Sequence, residues 1–162
     1  MRSMNSFLAA IVLMFAGVTM DAAQTAPPEK AMKVTLQIFS GRPNPEFSIK
    51  DAYLINRIQD LLETMPTTKS LAASAALQAV LGYTGIVVEP TDASLPLVET
   101  MTVYRSIVQV KNNTKAAKAL AGAAVPEQEV RTDASSALEK LLIKEALRQG
   151  VIDQNVIEFM NK

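Results

Sequence analysis

Two short segments hold the residues whose types and spacing suit chemistry. The first is SGRPNP, residues 40–45. Pro43 and Pro45 fix the backbone around Asn44 and hold Arg42 and Asn44 outward. The N–H groups of Ser40 and Gly41 are left free of any ladder. A guanidinium beside such donors receives a carboxylate, sulfate or phosphate group in a bidentate pair. The same residues also read as a rigid strand-to-helix turn, with Arg42 paired to a nearby acid such as Glu46. The second segment is Gly82-Tyr83-Thr84-Gly85. It is too short and wrongly spaced for a phosphate-binding loop, and a GxxG serves nucleic-acid modules only beside a basic groove. It reads as a turn with φ > 0 at a glycine and Tyr83 half buried, or as a stacking platform built on Tyr83. Ser40, Gly41, Arg42, Asn44 and Tyr83 are therefore the candidate binding residues. They would form a small polar pocket if both segments share one end of a sheet.

Other chemistries find little support. The chain has no His, Cys or Trp. That removes disulfides, thiolate sites, the Ser-His-Asp arrangement and the usual zinc and haem ligands. Paired carboxylates could still run glycosidic hydrolysis. Glu46, Asp51, Glu89, Asp92 and Glu99 lie in loops or at element ends, and nothing in their spacing selects two. Glu127, Glu129 and Asp133 precede the last helix, where acids favour its dipole. No loop has the alternating acids and central Gly of a calcium site. Ser70, Ser74 and Lys69 lack S-x-x-K spacing. The 16 basic and 16 acidic residues cancel, which argues against a nucleic-acid partner. Lys111, Lys115 and Lys118 form a small basic cluster that reads as a solvated loop. Asn112-Asn113-Thr114 is a glycosylation sequon.

The elements that position these residues follow from periodicity. Residues 7–20 are apolar apart from Thr19 and follow Arg2. At 1.5 Å per residue they span about 21 Å, short of the roughly 30 Å hydrocarbon core. They predict a secretory signal peptide over 1–23, cleaved among Ala22, Ala23 and Ala26. Residues 24–30, with two prolines, form a flexible leader, and 31–162 a single domain. Residues 32–39 alternate strictly, so a half-buried strand is expected. Leu54, Ile55, Ile58, Leu61, Leu62 and Met65 share one arc and predict a helix over 49–64, with Ser48 and Asp51 approximating a capping box and Pro66 ending it. A short Ala-rich helix is expected over 70–79. Residues 86–88 read as a buried strand, and 98–110 as one strand with imperfect alternation. Residues 111–125 read as an exposed loop or weak helix. The last helix is expected over 134–149, capped by Asp133 and ended at Gly150, with the apolar tail packing back. The fold class is α+β: a small, mainly antiparallel sheet of about three strands with two to three helices on one face.

Phe39-Ser40-Gly41-Arg42-Pro43-Asn44-Pro45-Glu46-Phe47, then Leu81-Gly82-Tyr83-Thr84-Gly85, then Leu138-Glu139-Lys140-Leu141-Leu142, resembles a family of small uncharacterised proteins. These carry an SGRPNP-type turn followed by an aromatic residue, and an LGYxG segment. Phe47 stands where a Trp is expected. The resemblance covers most of the mature domain and implies no activity, substrate or cofactor. The residues themselves point to an exported binding or interaction domain, secreted or periplasmic. Its partner would be a protein or a small anionic ligand. No cofactor, metal, nucleic acid or stable membrane span is expected. A small carboxylate-based hydrolase and a purely structural envelope protein are the alternatives.

Overall fold

A computed structural model describes residues 29–38, 43–68, 83–91, 94–121 and 126–160. The expected signal peptide and the 70–79 helix lie outside them, as do Ser40, Gly41, Arg42 and Gly82. Seven strands form one antiparallel sheet: β1 (Met32–Gln37), β2 (Glu46–Ile49), β3 (Thr67–Thr68), β4 (Gly85–Pro90), β5 (Val98–Tyr104), β6 (Ile107–Asn112) and β7 (Gln128–Thr132). Their spatial order is β2-β1-β4-β5-β6-β7-β3. The described residues also form four helices: α1 (Ala52–Thr64), α2 (Thr114–Ala121), α3 (Ala137–Arg148) and α4 (Gln154–Met160).

The expected small sheet of about three strands is therefore corrected to seven, and each missing strand has a physical reason. The run 98–110 is a hairpin, reversed at Arg105 and Ser106. Arg105 takes the turn with φ 52°, a left-handed conformation that favours Gly or Asn, so no turn signal marks it. The reversal also accounts for the broken alternation across Arg105. Strand β2 is four residues placed straight after two prolines. Strand β3 is only two residues. Strand β7 turns Glu129 and Arg131 toward the core face, which hides its alternation.

Alternation puts one face of the sheet against the helices. One rung across it runs through Phe47, Val34, Val88, Met101 and Val110 to Glu129. The next runs through Leu36, Ile86, Val103 and Val108 to Arg131 and Thr67. The aliphatic members are buried and join one core with Ile55, Ile58 and Leu62 of α1 and Leu138, Leu142 and Ala146 of α3. On β7 the two rungs supply the two members of one charged pair. The Arg131 guanidinium donates to the Glu129 carboxylate and to the Leu62 carbonyl in the last turn of α1, which also accepts the Met65 N–H at 3.3 Å. The opposite face is polar. Lys33 and Glu46 pair across it at 3.0 Å, and Lys111 and Glu99 at 2.8 Å.

The caps differ in detail from expectation. Asp51 alone caps α1, accepting the N–H groups of Tyr53 at 2.8 Å and Leu54 at 3.3 Å, while Ser48 belongs to β2. Helix α3 begins at Ala137, after a turn that holds Ser136 at φ 50°. The Asp133 carboxylate reaches over that turn to the Leu138 N–H at 2.8 Å. Gly150 follows α3 at φ 69°. The tail then folds back, burying Ile152 and Met160.

Gly85 opens β4 at φ 124°, and a Cβ there would lie 2.8 Å from the Val103 carbonyl oxygen. Gly85→Ala should therefore destabilise the domain by about 1–3 kcal/mol, through strained backbone and the push on β5. Thermal unfolding checks this, and an unchanged midpoint would mean that the two strands part freely.

Candidate functional site

One end of the sheet gathers the close of β1, the starts of β2 and β4, the β5–β6 turn and the start of α3. Asn44 and Tyr83 both sit there. The Ile38 N–H donates to Asn44 Oδ1 at 3.0 Å, and the Leu36 N–H to the Pro45 carbonyl at 2.9 Å. Thr84 donates through its N–H to the Gln37 carbonyl at 2.9 Å and through its hydroxyl to Gln37 Oε1 at 3.1 Å. The described parts of the two segments, from Asn44 and from Tyr83 onward, thus meet across the end of β1.

Tyr83 is 7% exposed, so its ring offers no open face for stacking a ligand. Its hydroxyl donates to Glu139 Oε1 at 2.5 Å. Burial, and then the adjacent carboxylate, push the phenol pKa far above its ordinary value, so the proton stays on Tyr83. The Arg105 N–H donates to the same Oε1 at 3.0 Å. The Tyr104 ring lies 5.7 Å from the Tyr83 ring, with the Arg105 guanidinium 5.4 Å from its centroid. Glu139 is the residue that sequence reasoning missed here. At 100° per residue it falls beside Ala146, at the border of the apolar stripe of α3. Glu145 falls inside that stripe, between Leu138 and Leu141, and is likewise buried. Acids in an apolar arc were the available signal.

A second site lies between α1 and α3. Two depressions, of about 410 and 220 Å³, share Arg57, Leu141 and Lys144, and so form one groove. Leu54, Leu61 and Leu141 make its half-buried floor. Arg57 stands on the α1 wall, and Lys140, Lys144 and Arg148 follow one another on the α3 wall. Tyr53, 75% exposed, marks one end. Arg148 pairs with Glu145 at 2.5 Å, and Lys140 donates to the Ser135 carbonyl at 2.7 Å. Arg57 and Lys144 have no hydrogen-bond or ion-pair partner among the described residues. The lining acids are Asp51, which caps α1, and Glu145. A chain of zero net charge therefore carries a local cationic excess. Its sequence signal was the i, i+4, i+8 spacing of Lys140, Lys144 and Arg148 on one helix face.

The loop acids are mostly engaged. Glu46, Glu99 and Glu129 sit in ion pairs, and Asp51 and Asp133 cap helices. Among the described residues, no three carboxylates cluster as metal ligands. Asn112 of the sequon is 6% exposed and donates to the Pro126 carbonyl at 2.9 Å, so the folded domain leaves no room for a glycan there. Asn113 Oδ1 accepts the Ala116 N–H at the start of α2.

Two measurements test these assignments. Tyr83→Phe leaves the buried Glu139 with only the Arg105 N–H, and should cost about 1–3 kcal/mol in denaturant unfolding. The acid limb of stability reports α3. Burial raises the Asp133 pKa, but the Leu138 and Ala137 N–H groups and Ser135 outweigh it and leave the carboxyl below its ordinary value. Arg148, against opposing burial, lowers Glu145 in the same way. Such groups stabilise the fold above the ordinary carboxylate range, and that stability is lost as pH falls below about 4. Asp133→Asn should lower the midpoint at pH 7 and flatten the loss toward pH 2. An unaltered acid limb would remove Asp133 from this role.

No family model matches the chain, and neither a curated protein nor a solved structure matches it.

Proposed function

We propose that the chain is an exported binding domain that takes an anionic ligand in the groove between α1 and α3. The observation that carries this reading is the pair Arg57 and Lys144. These are two exposed cations from different helices, without partners among the described residues, at the junction of one apolar-floored groove. Elsewhere, cations of the open sheet face are already paired, Lys33 with Glu46 and Lys111 with Glu99. A cation left over beside half-buried leucines favours a ligand that combines negative charge with apolar surface. The segment 40–45, read from sequence as a turn with Arg42 as anchor, is a second candidate of the same chemistry. The engagement of the loop acids supports binding over carboxylate-based hydrolysis. The segment 1–23, read as a signal peptide, supports a secreted or periplasmic location.

Thermal unfolding of the purified protein with a panel of multivalent anions tests the reading. A bound anion at 100 times its dissociation constant should add about 2.7 kcal/mol of stability. The shift should shrink as salt rises and disappear in the Arg57→Ala/Lys144→Ala double variant, whose unliganded midpoint should match the parent. A shift that survives in the double variant but falls in Arg42→Ala would move the site to the 40–45 turn. No shift with any anion would sink the reading.

A further inference from the structure

We infer that the groove between α1 and α3 docks an extended acidic segment of a partner polypeptide, with acids at alternate positions and apolar residues between them. This rests on the reading of the groove as an anion site and names the chemistry of its ligand.

The spacing on α3 sets the charge repeat. Lys140, Lys144 and Arg148 are each four residues apart in one helix. At 1.5 Å per residue they step by about 6 Å and span about 12 Å. Alternate side chains of an extended chain step by about 6.6 Å on one side. Acids at alternate positions thus meet Lys140 and Lys144, a third shares Arg148 with Glu145 at the end of the row, and a segment of about five residues covers it. Arg57, on the opposite wall, closes on the same segment from α1.

The floor selects a peptide over a bare polyanion. Leu54, Leu61 and Leu141 lie half-buried beneath the cations and stay wet under a polyphosphate chain. The intervening residues of an alternating peptide point the other way from the acids and can reach that floor. Tyr53, 75% exposed at the end of the groove, adds an aromatic surface for one such residue.

Fluorescence anisotropy of the purified protein with labelled peptides tests this. A hexapeptide alternating Asp with Leu should bind, and more tightly than one alternating Asp with Ser or one carrying its Asp and Leu in separate blocks. Raising salt from 50 to 500 mM should weaken it at least tenfold. Arg57→Ala/Lys144→Ala should weaken it at least tenfold, and Tyr53→Ala severalfold, with unchanged melting midpoints. Lys33→Ala, on the opposite sheet face, should leave it unaltered. Inorganic polyphosphate and phosphatidylglycerol vesicles are the competing arms. If either binds through Arg57 and Lys144 while the alternating peptide does not, the peptide inference is overturned and the anion site stands. If the block peptide or the Ser peptide binds equally well, the inference is overturned in the same way. If no anion in any arm depends on Arg57 and Lys144, the anion site falls as well.

Discussion

A sheet that buries only one face must finish that face at its ends, and this constraint organises the molecule. Across β2, β1, β4, β5 and β6 the inward positions are apolar apart from the buried Asn112 at the end of β6, and full burial of each apolar side chain contributes about 1.5–3 kcal/mol. At β7 the inward positions are Glu129 and Arg131, half-buried beside the last turn of α1. The guanidinium meets one carboxylate and one helix-end carbonyl, so the charge at the border is satisfied while it fixes the end of α1. The opposite edge is finished differently. Gln149 donates to the Ser48 carbonyl of the edge strand β2 at 3.0 Å, which occupies an acceptor another strand could use.

Helix α3 is held by carboxylates on its inner side. Asp133 fixes its start, and Glu139 ties its first turn to Tyr83 and to the Arg105 N–H in the β5–β6 turn. Near its end, Glu145 accepts from Arg148 and from Gln149 at 2.8 Å, and Gln149 leads on to β2. Each is a charged acceptor with more than one donor, the condition under which burying a carboxylate does not oppose folding. The contacts also restrict rotation of α3 about its axis. The outward row Lys140, Lys144 and Arg148 is thereby set at a fixed angle to α1.

Local patterns revealed the elements that obey one period throughout. Strand β1 alternates without exception, and α1 keeps a continuous apolar arc ended by Pro66, so both were legible close to their observed bounds. The hairpin was not, because its turn uses Arg105 in a conformation that residue type does not advertise. Strand β7 was not, because its inward residues answer to a helix end and not to the core. The same holds at the sites. The meeting of the Asn44 and Tyr83 segments at one sheet end could be imagined from sequence, but the Tyr83–Glu139 contact joins residues 56 apart and needs the whole sheet to form. The groove needs α1 and α3 to be neighbours, which no spacing within either helix encodes.

Equal numbers of acids and bases describe a sum, and the fold separates its terms. The carboxylates of α3 turn inward, or reach along the helix, and are consumed in fixing it. Its lysines and Arg148 turn outward onto the groove. Asp133 and Glu139 use their acceptors away from the groove lining, while Glu145 pairs with Arg148 and offsets that one cation. The side chains of Lys144 and Arg57 are without an acid partner among the described residues, although Asp51 and Glu145 share the groove lining. A neutral chain can in this way present a cationic groove whose strength depends on how completely the fold uses its carboxylates. Loss of Glu139 or Asp133 from its contacts would then disturb the groove through the placement of α3, although neither residue lines it.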